Sequence, residues 1–305
     1  MGKDFIGREV LITGGTGSLG RALAKKILLD KLEKLIIFSR DEFKQHQMAK
    51  EFERAENIRF FLGDVRDKSR LIQAFVGMDY VIHAAALKQV PALEYNPEEA
   101  VKTNVLGTMN VIDACIASGV KKCVFISTDK AVNPVNLYGA TKLCGEKLFL
   151  AANAYNKTEF NCVRYGNVIG SRGSVIPLFQ KLKEEGKQKI PITSVEMTRF
   201  WITMDEAVDL VMHALGGEKG RIYVPAAPAM KITEIARAIV PDCEFEVIGI
   251  RAGEKVHESL VSEDNKNVTI IWSGSADIPV PYTSDKAEQL TREEFLEKLK
   301  GKEEK

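Results

Sequence analysis

Residues 9–20 read EVLITGGTGSLG, and this stretch decides the fold. Val10, Leu11 and Ile12 form an apolar run of strand type. Gly14, Gly17 and Gly20 follow at GxxGxxG spacing and open a helical pattern over 20–29. Strand, glycine turn and helix in that order are a dinucleotide-binding signature. Gly14 permits the tight turn. Gly17 lets a pyrophosphate approach backbone N–H groups at a positive helix end, and Gly20 lets helix and strand pack closely.

Outward from this turn, apolar runs at 35–38, 58–62, 80–82, 123–126 and 160–164 alternate with helical patterns at 41–55, 69–75, 97–118 and 138–155. Continuous apolar strands separated by helices predict a parallel sheet covered on both faces. Right-handed crossovers then give an α/β fold, a doubly wound parallel Rossmann sheet. Beyond residue 165 the pattern loosens. Helices are expected at 177–185, 205–215 and 233–240, short strands at 221–224 and 245–250, and a polar helical tail at 291–305. The expected division is a dinucleotide-binding domain over 1–165, rejoined by about 200–226, and a smaller mixed α/β substrate-binding domain over 166–305.

Composition narrows the function. The 305 residues carry 43 Lys+Arg and 42 Asp+Glu, a net charge of +1. That argues against a nucleic-acid surface or a polybasic membrane patch. No apolar run reaches the 18 residues of a membrane span, and the short lead before the first strand leaves no room for a secretory segment. Cys115, Cys123, Cys144, Cys162 and Cys243 are scattered without a CxxC pair, and the four histidines lack HxxxH spacing. Reduced thiols, a cytoplasmic location and no metal site are expected.

The glycine turn brings Thr16, Ser18 and Leu19 to a cofactor along with Gly14, Gly17 and Gly20. The second strand ends FSRDE at 38–42. A carboxylate there suits the ribose diol of NAD, whereas an arginine suits a 2′-phosphate. Ser39 and Arg40 come first past the strand, so NADP is favoured, with Lys44 close by; Asp41 leaves NAD open. Asp64, after the third strand and beside Val65, is placed to accept from an adenine amino group. Small Ala84, Ala85 and Ala86 after the fourth strand let backbone lie along a cofactor, and Lys88 just beyond reaches either cofactor or substrate.

Ser127-Thr128-Asp129-Lys130 follows the fifth strand, and Tyr138 and Lys142 open the next helix four residues apart. That spacing puts both on one helical face. The lysine cation is expected to lower the tyrosine pKa, so that the phenol trades a proton with a sugar hydroxyl as hydride moves.

With these residues the chain resembles the extended short-chain dehydrogenase/reductase family over nearly its whole length. Within it, the resemblance is to the inverting UDP-N-acetylglucosamine 4,6-dehydratases of pseudaminic acid synthesis. The matching stretches are SRDEFKQ (39–45), GDVRD (63–67), AAALKQVPALEYNP (84–97), STDKAVNPVNLYGATK (127–142), RYGNVIGSRGSVIP (164–177), MTRFWIT (197–203) and GEKVHE (253–258). Asp129-Lys130 is the specific part, since sister dehydratases acting on nucleotide-glucose usually carry Asp-Glu there and epimerases need no such pair. The resemblance implies Tyr138 and Lys142 for oxidation at C4, Thr128 on the C4 oxygen, Lys130 as base at C5 and Asp129 as acid at C6. A lysine base calls for a lowered pKa, against which Asp129 pulls.

On the substrate side the resemblance implies a UDP-sugar covered by Asn167, Ser171, Arg172 and Val175. Its diphosphate and ribose fall to Arg199, Arg251 and Glu254, arginine forks being natural phosphate partners. It further implies a homo-oligomer, dimer to hexamer, built on the helices at 97–118 and 138–155. Other readings are a nucleotide-sugar 4-epimerase, a retaining dehydratase, and a non-catalytic NADP-binding sensor. His83 and His257 are expected to be structural, and Phe200, Trp201 and Trp272 core or interface residues.

Overall fold

The computed structural model describes residues 5–170, 175–271 and 280–303. In chain order the first half contains β1 (Glu9–Thr13), α1 (Ser18–Ile27), β2 (Lys34–Ser39), α2 (Glu42–Glu51), β3 (Ile58–Leu62), α3 (Lys68–Phe75) and β4 (Tyr80–His83). There follow α4 (Val90–Tyr95), α5 (Pro97–Ala100), α6 (Gly107–Ser118), β5 (Lys122–Ile126), α7 (Leu137–Ala152) and β6 (Glu159–Val163). The second half contains β7 (Asn167–Val168), α8 (Val175–Glu184), β8 (Lys189–Ile192), β9 (Thr198–Ile202), α9 (Met204–Gly216), β10 (Ile222–Pro225) and β11 (Ala229–Lys231). It closes with α10 (Ile232–Ile239), β12 (Glu244–Val247), β13 (Ser259–Val261), β14 (Val268–Ile271), β15 (Tyr282–Thr283) and α11 (Arg292–Glu303).

Eight strands form one sheet in the order β14-β10-β6-β5-β4-β1-β2-β3, and every pairing is parallel. The doubly wound Rossmann sheet read from the sequence is thus present. Its central strands β1, β2, β4 and β5 are buried on both faces, as their unbroken apolar runs require, while the edge strands β3 and β14 are partly exposed. One face is covered by Leu23, Ala24 and Ile27 of α1 and by the apolar side of α9. The other is covered by α3, α6 and α7, with Phe125, Phe149 and Phe160 packed ring against ring. A third core lies in the second half, where Trp201 of β9 meets Phe295 of α11 edge to face.

Several elements depart from expectation. The single helix over 97–118 is α5, a π-helical segment Val101–Leu106, and α6. The helix expected over 41–55 ends at Glu51, and Asp41 is its N-cap, accepting from the Lys44 backbone N–H at 2.9 Å. Helix α4 escapes the sequence reading because it is one and a half turns with no apolar period. β9 escapes it because Thr198 and Arg199 break the apolar pattern of a strand whose every residue is buried. β14 joins the main sheet beside β10, well downstream of 200–226.

The buried Arg164 side chain ties the two halves together. Arg164, just past β6, donates from Nε and Nη2 to both oxygens of Glu146 on α7, at 3.0 and 2.7 Å. Its Nη1 donates to the Leu260 carbonyl and to Asn265 Oδ1. Removing one partner of such a pair strands a buried charge. Arg164→Met is therefore expected to cost about 3–5 kcal/mol in urea denaturation, and adding Glu146→Met to recover much of it.

Candidate active site

The carboxyl ends of the sheet strands open into a cleft of about 1080 Å³ between the sheet and the third core. Gly14, Thr16, Gly17, Ser18, Leu19, Gly20, Ser39, Arg40, Asp41, Lys44, Asp64, Val65, Ala84, Ala85, Ala86 and Lys88 line it. So do Thr128, Lys130, Tyr138, Lys142, Asn167, Val175, Arg199, Arg251 and Glu254. Asp129 lies wholly buried beside Lys130. Ser171 and Arg172, and Trp272 with them, fall outside the described residues.

At one end the glycine turn packs backbone on backbone. Gly14 has φ +65°, and a Cβ there would stand 2.7 Å from Ala85 Cα. Gly17 is the N-cap of α1, and no side chain caps that helix end, which faces the cleft. Thr16 and Ser39 share a hydrogen bond at 3.0 Å, joining the glycine turn to the end of β2. The Asp41 carboxylate is engaged as the α2 cap and by Lys44 Nζ at 2.7 Å. The Arg40 guanidinium is half-exposed at 3.6 Å from Asp64. Arg66 grips both oxygens of Asp64 at 3.0 and 2.8 Å, so that carboxylate is already committed to a neighbour. Beyond the alanines, burial lowers the Lys88 pKa.

In the middle, Thr128 caps a short turn, Asp129–Ala131, and its hydroxyl donates to Asp129 Oδ1 at 3.0 Å. Lys130 Nζ donates to the same oxygen at 3.0 Å and stands 3.4 Å from Glu258 Oε1. Burial pulls the Lys130 pKa down, but Asp129 and Glu258 together outweigh it, and the net shift is upward. The lowered pKa wanted of a lysine base is therefore not what this arrangement gives. Tyr138 departs from expectation as well. Burial raises its pKa, and the cation that opposes burial is Lys130, not Lys142. Lys142 is itself pushed down to about 7 by burial, its Nζ 3.9 Å from the centre of the Phe125 ring.

Two residues that the sequence reading passes over complete the site. Asn104, in the π-helical segment, accepts from the Leu87 N–H and donates to the Leu87 carbonyl, both at 2.9 Å. It also donates to Thr141 Oγ1 on α7 at 3.1 Å, so it fixes the loop after β4 against the Tyr138 helix. Glu258 is the other. Its only sequence signal is its place at the end of GEKVHE.

Arg199 is not a free fork. Its guanidinium donates to the carbonyls of Thr198, Lys255 and Val256, holding the 253–258 segment in place. Arg251 and Glu254 share a turn at the cleft mouth, the Glu254 N–H donating to the Arg251 carbonyl at 3.1 Å. His83 lies between the Thr13 and Thr108 hydroxyls, and burial pushes its pKa down to about 3, so it is a neutral core residue. His257 contacts the Thr198 hydroxyl at 2.8 Å. Phe200 and Trp201 are fully buried. No helix among the described residues is long and apolar enough to cross a membrane.

Residues 10–274 match the family model described as polysaccharide biosynthesis protein. A Campylobacter jejuni protein named UDP-N-acetylglucosamine 4,6-dehydratase (inverting) is 54% identical over 273 residues, covering 87% of this chain and 80% of its own. A Rickettsia canadensis protein named UDP-glucose 4-epimerase is 43% identical, covering 86% of this chain and 80% of its own. Among solved structures, Pen from Bacillus thuringiensis superposes with a TM-score of 0.89 at 36% identity, covering 98% of each chain.

The buried Lys142 makes stability depend on pH. Below about pH 7 it is charged in folded and unfolded chains alike, and the folded chain bears the full cost of holding that charge away from water. Between about 7 and its ordinary 10.5 the folded chain has lost a proton that the unfolded chain keeps, so stability rises with pH. Urea denaturation should find Lys142→Met most stabilised over the unsubstituted chain near about pH 6, the difference shrinking towards about pH 10.

Proposed function

The chain belongs to the polysaccharide biosynthesis protein family, and from that premise we propose that it is a UDP-N-acetylglucosamine 4,6-dehydratase that inverts the sugar at C5. The observation that carries this reading is the 3.0 Å hydrogen bond from Lys130 to Asp129, set beside Thr128 and Tyr138. Beside a hydride acceptor, oxidation at C4 asks of the chain only the hydroxyls of Thr128 and Tyr138 and the Lys142 amine. A second acid–base pair serves a substrate that must also lose a carbon-bound proton and a hydroxyl.

The cradle left by Gly14 and the uncapped end of α1 fit a dinucleotide pyrophosphate, and the cleft continues from there to Tyr138 and Lys142. The commitment of the Asp41 carboxylate to its cap, with Arg40 and Lys44 around it, supports NADP over NAD. The chemistry a bound nicotinamide supplies is acceptance of hydride from C4 and its return at C6.

The chain's own groups do the rest. Tyr138 takes the C4 hydroxyl proton while Thr128 holds the oxygen. The ketone at C4 acidifies the C5–H bond, and the Lys130 amine removes that proton. Asp129 gives a proton to the C6 hydroxyl, which leaves as water. Return to C5 of a solvent-derived proton from the face opposite Lys130 inverts that centre and gives UDP-2-acetamido-2,6-dideoxy-β-L-arabino-hex-4-ulose. Arg199 acts here by shaping the loop, while Arg251, Glu254, Asn167 and Lys88 face the UDP-sugar from the cleft wall. Such a product suits a pathway of the pseudaminic acid type. Exposed Val101, Leu106 and Met109, beside α6, support a homo-oligomer that covers them.

The 43% identity to a named 4-epimerase supports a second reading, in which the same oxidation at C4 is simply reversed on the other face. Proton NMR of the chain with UDP-N-acetylglucosamine in D₂O separates the two. A C6 methyl group with deuterium at an inverted C5 is expected. Deuterium with C5 retained would sink the inversion, and UDP-N-acetylgalactosamine without a methyl signal would mean an epimerase. Lys130→Met and Asp129→Asn are each expected to cut kcat for dehydration by on the order of 10²–10⁴-fold. Arg40→Ala should lower the NADP-over-NAD preference by roughly tenfold, read from the two Kd values.

A further inference from the structure

Resting on the dehydratase reading, we propose that Glu258 is a positioning residue that sets where the proton rests between Lys130 and Asp129, with Lys255 as its counterweight. Glu258 stands one residue before β13, 2% exposed, its N–H donating to Ser284 Oγ at 3.0 Å. Its Oε1 is 3.4 Å from Lys130 Nζ and its Oε2 is 3.4 Å from Lys255 Nζ. One buried carboxylate is thus shared between two lysines, one of them the C5 base.

The segment that carries Glu258 is strapped over the catalytic turn. Lys255 Nζ donates to the Val132 carbonyl at 2.6 Å, and Asn136 Nδ2 donates to the Gly253 carbonyl at 2.8 Å. Arg199 holds the carbonyls of Lys255 and Val256 from the β9 side. The charged and titratable groups facing Lys130 are Asp129 on its own turn, Glu258 and Lys255 on the strap, Arg199 on β9 and Tyr138 on α7.

The ion pair is the wrong way round for elimination. It holds Lys130 as the cation and Asp129 as the anion, whereas the reaction needs a free amine and a carboxylic acid. Moving one proton from Nζ to Oδ1 along their 3.0 Å hydrogen bond interconverts the two with no change in net charge and no outside reagent. Glu258 opposes that transfer because its carboxylate stabilises the Lys130 cation. Lys255 weakens the opposition by drawing the same carboxylate away. Because Lys255 belongs to the strap whose start, Arg251 and Glu254, lines the cleft mouth, a ligand that shifts the strap shifts this balance too.

The test uses the full chain with lysines ¹³C-labelled at Cε, the Lys130 signal being assigned by its loss in Lys130→Arg. The Lys130 titration midpoint should fall by about one pH unit in Glu258→Gln, rise in Lys255→Met, and stay near that of the unsubstituted chain in Glu258→Asp. The acid limb of kcat on UDP-N-acetylglucosamine should move in the same two directions, with KM changed less than about threefold. Midpoints that do not move, or that move together in one direction, overturn the proposal, because a merely structural role has no sign. Opposed midpoints without turnover on any UDP-sugar keep the positioning role and overturn the dehydratase reading instead. Should Glu258→Gln fail to fold by circular dichroism, Lys255→Met decides alone: a raised midpoint supports the proposal and an unmoved one ends it.

Discussion

A Cβ on Gly139 would stand 2.1 Å from the carbonyl oxygen of Lys130. No other residue fits between that carbonyl and the first turn of α7, and the rest of the site is arranged around this contact. It seats the Tyr138 helix directly on the Asp129–Ala131 turn. Asn136, one residue before the helix, accepts from the Gly139 N–H at 2.7 Å and reaches across to Gly253. One turn on, Thr141 meets Asn104, which holds the loop after β4. A single close approach thereby aligns the glycine-turn end of the cleft, the Asp129–Ala131 turn and the strap from the second half.

Burial acts with the same sign on the two lysines of this site, yet they end in opposite states. Lys142 has an aromatic face as its nearest partner and only distant help from Glu146, so loss of water decides its pKa. Lys130 has two carboxylates within 3.4 Å, and these overcome the same loss of water. The chain therefore keeps one lysine near neutrality and holds the other as a cation until something changes its surroundings. Tyr138, between them, feels the second cation more than the first.

Much of this was legible in the sequence, and the boundary has a physical reason. The Rossmann sheet was legible because buried parallel strands are continuous apolar runs and because glycines at 14, 17 and 20 are demanded by backbone contact. Ser39, Arg40, Asp64, Ala84 and Thr128 line the cleft because they lie at or just past the carboxyl ends of β2, β3, β4 and β5, where this fold opens. The short strands of the second half were not legible, since β7, β11 and β15 are two or three residues long. Nor were the pKa directions of Lys130 and Tyr138. Burial, which no local pattern reports, raises the Tyr138 pKa, and for Lys130 Asp129 is joined against burial by Glu258, 128 positions away in the chain.

Arg164 has a consequence for how the chain comes into being. Its guanidinium is buried, and two of its hydrogen-bond partners are Leu260 and Asn265, about a hundred residues further on. The strand before it, β6, gains its outer neighbour β10 only from residues 222–225, and that strand in turn gains β14 from 268–271. During synthesis the amino-terminal half therefore leaves the ribosome with Arg164 paired to Glu146 but its Nη1 still without its acceptors, and with an open sheet edge at β6. The β6 edge stays open until β10 is made and the Nη1 acceptors arrive only with residues 260–265, so the nascent half exposes a strand edge of the kind that invites wrong pairing until the later segments close it.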